Sequence, residues 1–251
     1  MMRELPPEYQ TSALWIFGYG SLVWKPDFEY TSCKVGFIRG YNRRFWHGDT
    51  FHRGNEKMPG RVVTLVEECD ACTWGVAYEI RDHQIAPALD YLCIRESKRG
   101  GYKTQLVEFI PREEEVDCDG INIMALVYIA TPENPIYLGP APPEQIAAEI
   151  AISRGQSGHN LEYLIRLADF MRLFCPDVED DHLFAIEAAA ITILPYLYDT
   201  ELSFPLLSVI NFPDTSSKGQ AATLKKQTEH STFVERATGA DSLSRSICLS
   251  S

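Results

Sequence analysis

Long apolar runs are absent from this chain. The first apolar stretch, Ala13 to Phe17, is too short for a signal-peptide core or a membrane span, and no later stretch approaches a span. A cytoplasmic location is therefore expected, with no membrane span. Basic charge is in deficit: 23 Lys and Arg face 35 Asp and Glu, for a formal net charge of −12. Phosphate binding needs a basic footprint, so this balance argues against a nucleic-acid partner. The seven cysteines, at 33, 69, 72, 93, 118, 175 and 248, are odd in number and irregularly spaced, which fits reduced thiols better than a disulfide framework. No internal repeat is visible.

What is present is an ordinary globular composition, 45% apolar, in a chain long enough to bury a core without metals or disulfides. A local basic stretch contains Lys34, Arg39, Arg43, Arg44, Arg53, Lys57 and Arg61, against only Asp49 and Glu56. Most of these read as solvated surface charges. The boundaries suggested are an N-terminal extension at 1–13, a single domain at 14–212 and a tail at 213–251. That tail is rich in Ser, Thr, Lys and Gln and is expected to be disordered.

Leu14 to Tyr19 reads as a strand ending in a glycine turn. Tyr41–His47, Arg61–Glu67, Thr73–Ile80, Lys103–Ile110 and Ile121–Ile129 read as further strands, with an acidic loop near 113–119. Gln84–Arg95 places Ile85, Ala88, Leu89, Leu92 and Cys93 at helical spacing. After Tyr137-Leu138-Gly139-Pro140, helices are expected at Pro143–Ser153, Leu161–Phe174 and Asp181–Leu197, the last capped by Asp180 or Asp181. Strands followed by helices, rather than strict alternation, indicate an α+β fold. The expected architecture is a mixed, curled sheet, a partial barrel with helices packed on it.

Several constellations could carry chemistry. Gly18-Tyr19-Gly20 follows a strand, but position 23 is Val and Pro26 disfavours a helix, so it is a poor dinucleotide fingerprint. The glycines still imply close backbone approach. Exposed N–H groups at such a turn can hold a carboxylate or an oxyanion, although a tight structural turn would read the same way. Ser21 with His47, Asp49 and His52 does not form a nucleophile elbow. His47, Asp49 and His52 lack zinc-ligand spacing and read as loop histidines, and Cys69-Asp70-Ala71-Cys72 has no second pair. No metal and no cofactor is expected. Glu96 ends the amphipathic helix, beside Arg95, Lys98, Arg99 and Gly100-Gly101. A helix C-terminus is an unfavourable place for a carboxylate, which makes Glu96 either a candidate base or a surface ion-pair partner.

The ordered motifs resemble a known family. They are Phe17-Gly-Tyr-Gly-Ser-Leu22-Val-Trp24, Arg43-Arg44-Phe-Trp46, Asp49-Thr-Phe-His52-Arg53-Gly54, Pro59-Gly-Arg-Val-Val-Thr-Leu65, Trp74-Gly-Val-Ala-Tyr78, Arg95-Glu96 with Gly100-Gly101-Tyr102, and Tyr137-Leu-Gly-Pro-Ala141. From about Trp15 to about Leu197 the chain is similar to the ChaC family of glutathione-specific γ-glutamylcyclotransferases. The Ser97-Lys98-Arg99 spacer and Gly158 to Met171 are most similar to the first of its two animal branches, which is induced by stress.

The resemblance implies a γ-glutamylcyclotransferase-like fold and an enzyme, a carbon–nitrogen lyase that converts glutathione to 5-oxoproline and cysteinylglycine in glutathione catabolism. It implies Glu96 as acid/base. It also implies substrate binding by the turn Gly18, Tyr19, Gly20, Ser21, Leu22 and Val23, with Tyr102 and Tyr163 as secondary contacts. Packing is the plainer role for Tyr163. The same resemblance admits a stress-linked cell-death role and a Notch-precursor partner. Cys69 and the residues Asp90 to Ile94 depart from the family pattern.

Overall fold

The computed structural model describes residues 13–97, 102–112 and 123–199, the side chains of residues 96, 97, 198 and 199 excepted. Residues 1–12 of the expected N-terminal extension, the acidic loop, Gly100-Gly101 and the 213–251 tail lie outside the described residues, and Ala13 belongs to the first strand. No helix among the described residues is long and apolar enough to cross a membrane.

The core of the fold is a closed barrel of β1 (Ala13–Gly18), β3 (Gly60–Arg81), β2 (Ser32–Asp49), β4 (Tyr102–Pro111) and β5 (Ile123–Ala130), neighbours in that order. The expected curled sheet is present, and it closes completely because β1 pairs in parallel with β5 through Trp15–Ala125 and Ile16–Leu126. Helix α1 (Ile85–Ser97) joins β3 to β4, and α2 (Pro143–Ile152), α3 (Asn160–Phe174) and α4 (Asp181–Asp199) follow the barrel. A short ribbon, β6 (Arg154–Gly155) with β7 (Gly158–His159), precedes α3. The apolar spacing of α1 buries Ile85, Ala88 and Leu92 against Leu14, Ile16, Ile80 and Leu126. Leu161, Leu164, Ala168 and Met171 form the buried stripe of α3.

The strand boundaries differ from expectation. Arg61–Glu67 and Thr73–Ile80 belong to one strand, β3, and β2 begins at Ser32 rather than Tyr41. The polar stretch Glu67 to Asp70 reads as a break, but it is an exposed bulge. The β2–β3 register shifts between Arg39–Cys72 and Tyr41–Glu67, opposite Gly40 at φ 83°. His47, read both as the end of a strand and as a loop histidine, lies on β2, 2% exposed, as the strand reading has it. Within the basic stretch Arg43, Arg53 and Arg61 are buried, at 3%, 7% and 3% exposure, whereas Lys34, Arg39, Arg44 and Lys57 are not. Each of the three buried arginines meets a carboxylate from the helical half: Asp180, Glu162 and Glu149 respectively. Pairing is what allows a guanidinium to be buried, and a sequence pattern does not reveal the partner.

Topology gathers the site at one end of the barrel. β1 finishes there at Gly18, and its parallel neighbour β5 finishes there at Ala130. β4 is antiparallel to β5 and starts there, Tyr102 opposite Ala130. Helix α1 leaves the far end, where Arg81 pairs with Ala13, and returns its C-terminus towards the start of β4. Glu96 is thus delivered to the end that holds the glycine turn.

Candidate active site

After β1 the chain makes a single 3-10 turn, Ser21–Val23. Val23 N–H donates to the Gly20 carbonyl at 3.0 Å and Trp24 N–H to the Ser21 carbonyl at 3.3 Å. The Ser21 and Leu22 N–H groups precede the first bond of the turn and have no partner within it, the general condition of a helix start. The side chains around them are structural. Tyr19 is 9% exposed and its hydroxyl donates to the Tyr128 carbonyl at 2.8 Å. Leu22 packs on the core cluster and its carbonyl accepts from Tyr78 at 2.7 Å, while Val23 is buried.

The glycines have packing reasons of their own. A Cβ on Gly20 would lie 2.7 Å from the Tyr163 hydroxyl and 2.9 Å from Val63 Cγ2, and one on Gly18 would lie 2.6 Å from Leu22 Cβ. The close approach at these glycines is made by the protein itself.

Glu96 occupies the last turn of α1, and its neighbour Arg95 ties that turn to the glycine loop. The Arg95 guanidinium donates to Ser21 Oγ, and to the Tyr91 hydroxyl at 3.0 Å. The structure therefore brings the helix end that carries Glu96 to the turn Gly18–Val23. Sequence reasoning missed the bridging role of Arg95. The signal was its place between an amphipathic helix and the candidate base.

Tyr102 opens β4, half-buried, with its hydroxyl 2.9 Å from His47 Nε2. Burial pushes the His47 pKa down to about 4, against the upward pull of Asp49. Tyr163 is 4% exposed and sits behind the turn, edge-on to Trp24 at 5.2 Å and to Phe45 at 6.1 Å. Its hydroxyl accepts from Val63 N–H at 3.4 Å. Packing is its visible role. Asp49 Oδ1 accepts from the Phe51 and His52 N–H groups at 2.8 and 2.6 Å, and His52 Nδ1 lies 2.8 Å from Ser157 Oγ. Among the described residues no group of three or more His, Cys, Asp and Glu is placed to hold a metal ion. Cys69 and Cys72 are exposed free thiols on β3.

Around the turn, the buried arginines act as braces. Arg43 Nη1 donates to the Tyr19 carbonyl at 2.9 Å and to the Trp74 carbonyl at 3.1 Å. Arg61, at the start of β3, donates to the Gly139 carbonyl at 2.9 Å and to the Phe45 carbonyl of β2 at 3.2 Å, pinning the Tyr137–Ala141 segment to both strands. Asp180, not Asp181, caps α4, accepting from Leu183 N–H at 3.1 Å.

The family model of ChaC-like proteins matches residues 14–192. The chain belongs to that family. The match spans the glycine turn, α1 with Glu96, and the start of β4, so the ordered motifs read from the sequence identified the family correctly. The chain is similar to glutathione-specific gamma-glutamylcyclotransferase 1 of Danio rerio, 63% identical over 190 residues, which cover 74% of this chain and 93% of that protein. The protein of the same name in Homo sapiens is 58% identical over 195 residues, covering 78% of this chain and 86% of its own. Both carry the name of the first animal branch. The crystal structure of the yeast gamma-glutamyl cyclotransferase specific to glutathione superposes with a TM-score of 0.63 at 29% identity, covering 72% of this chain and 99% of that one. The ChaC-family chain described here thus has a γ-glutamylcyclotransferase-like fold.

Proposed function

We propose that this chain is a glutathione-specific γ-glutamylcyclotransferase that degrades glutathione to 5-oxoproline and cysteinylglycine. The observation that carries this reading is the 63% identity, across 93% of its length, to a relative of that name. The geometry supports it, because the topology and the Arg95–Ser21 contact bring the helix end that carries Glu96 to a turn whose first N–H groups have no partner within the turn itself.

The reaction is an intramolecular aminolysis. The α-amine nitrogen of the γ-glutamyl residue attacks its own γ-carbonyl carbon. A C–N bond closes the five-membered lactam, and the C–N bond to the cysteine nitrogen breaks. From ammonium to lactam the attacking nitrogen gives up two protons, and the leaving nitrogen takes up two in becoming an ammonium; Glu96 relays them, so no net proton is consumed. The amine needs a base, because a generic α-amino group has a pKa of roughly 8. Nucleophile and electrophile share one molecule, so holding the folded substrate supplies much of the rate. The Ser21 and Leu22 N–H groups, with the Gly18–Val23 backbone around them, hold the γ-glutamyl oxygens. Tyr102 contacts the substrate beside them. The catalytic unit is residues 14–212.

The test is incubation of the full chain with glutathione in a mixture containing γ-glutamyl amino acids and γ-glutamylamines. The expected result is equimolar 5-oxoproline and cysteinylglycine, with glutathione consumed ahead of the competitors. Glutathione bound but intact would mark a binding module and overturn the enzymatic reading. Faster consumption of another γ-glutamyl compound would overturn the specificity.

A further inference from the structure

His47 is a buried histidine for which the proposed mechanism has no use, yet it touches a residue at the site. It is 2% exposed on β2, with its backbone held by pairing to Val62 and by a bridge to Tyr137. Its ring meets Tyr102 edge-on, centroids 5.3 Å apart at 82°, and Nε2 lies 2.9 Å from the Tyr102 hydroxyl. Tyr102 opens β4 at the barrel end where Gly18 and the C-terminus of α1 arrive.

The location of the imidazole proton decides what this contact does. Burial keeps His47 neutral near pH 7, so the ring carries one proton. Nδ1 is buried and meets no hydrogen-bond partner among the described residues. An orphaned buried N–H is rarer and more costly than an under-used acceptor, so a proton on Nδ1 is the unfavourable choice. The proton therefore sits on Nε2 and points at Tyr102, whose oxygen accepts it. Tyr102 then donates its own proton in another direction.

We propose that His47 is a positioning residue that commits the Tyr102 hydroxyl to donate to the γ-carbonyl oxygen of the substrate as negative charge develops there. This inference rests on the cyclotransferase reading. A fixed donor that needs no reorientation stabilises the transition state more than the bound substrate, so its loss falls on kcat.

The experiment compares steady-state glutathione turnover by the wild type, His47→Leu, His47→Gln, Tyr102→Phe and the double variant His47→Leu/Tyr102→Phe. His47→Leu should lower kcat about 10-fold, the scale of one hydrogen bond, with KM changed by less than about two-fold. His47→Gln, which offers an amide N–H from a similar position, should recover most of kcat. Tyr102→Phe should lower kcat at least as far, and the double variant should fall no lower than Tyr102→Phe. Nitrogen-15 NMR of the imidazole should report the proton on Nε2.

Full kcat in His47→Leu, an equal loss in the Tyr102→Phe background, or a proton on Nδ1 would overturn the inference while leaving wild-type turnover intact. If His47→Leu does not fold, the Tyr102→Phe and NMR arms decide: full kcat in the former, or a proton on Nδ1, overturns it. Absence of turnover by the wild type would overturn the cyclotransferase reading, and this inference with it.

Discussion

The Arg43 guanidinium donates to Asp180 Oδ2 through both Nε, at 2.9 Å, and Nη2, at 2.7 Å, across 137 residues of sequence. The same guanidinium holds the Tyr19 carbonyl, so the glycine turn is braced from the helical half of the fold. Replacing Arg43 with Met would remove its hydrogen bonds to the Asp180 carboxylate and to the Tyr19 and Trp74 carbonyls. Breaking a buried pair in this way costs about 3–5 kcal/mol. In a domain of this size that lowers Tm by on the order of 10 °C, which thermal denaturation would report. A change under about 2 °C would show that Arg43 is not a brace.

Gly20 is predicted to be intolerant of a side chain for a reason that can be dissected. A Cβ there would meet the Tyr163 hydroxyl at 2.7 Å and Val63 Cγ2 at 2.9 Å. Gly20→Ala should cost about 1–3 kcal/mol by overpacking. Tyr163→Phe removes the hydroxyl, so Gly20→Ala should cost less in that background. Equal costs in both backgrounds, measured by denaturant unfolding, would mean that Tyr163 is not the obstacle.

Acid should destabilise this protein before its carboxylates titrate. Burial depresses the pKa of His47 and of His182 to about 4, and His182 Nε2 accepts from Phe45 N–H at 3.0 Å as the neutral ring. The unfolded chain binds these protons near pH 6.5 and the folded chain does not. Stability is therefore full above about 6.5, falls as pH drops towards about 4, and levels off below that for these two groups. The slope is at most about 1.4 kcal/mol per pH unit for each histidine. Denaturant unfolding at pH 7, 6 and 5 should show the decline, and His182→Gln should flatten it. A pH-independent midpoint over that range would contradict these shifts.

Much of this was legible in the sequence. The periodicity of Ile85, Ala88 and Leu92 marks α1, and the Leu161 to Met171 stripe marks α3, because burial on one face leaves a repeating trace. The glycine turn and Glu96 stood out for local reasons, turn chemistry and an unfavourable helix end. Other features depend on partners far along the chain. Arg43, Arg53 and Arg61 resemble surface charge until Asp180, Glu162 and Glu149 arrive from the helices. The Glu67 to Asp70 bulge resembles a strand boundary because polarity marks exposure, whether or not the strand continues. The contact of His47 with Tyr102 spans 55 residues, so no local pattern reveals it.

Arg95 links the end of α1 to the glycine turn, so it should matter more for activity than for stability. It is half-buried, and its donation to Ser21 Oγ joins surface-proximal elements. Arg95→Met is expected to lower kcat/KM about 10-fold, the scale of one hydrogen bond, while shifting stability by less than about 1 kcal/mol. Ser21→Ala should act in the same direction, and the two together should be less than additive. Fully additive losses would indicate that the contact does not position the helix end.

The most direct test of the account is Glu96→Gln, which keeps the shape of the side chain and removes its capacity to accept a proton. The variant should keep the wild-type Tm and bind glutathione in isothermal titration, and it should release almost no 5-oxoproline or cysteinylglycine. Near-normal release of 5-oxoproline by folded Glu96→Gln would contradict the assignment of Glu96 as the acid/base.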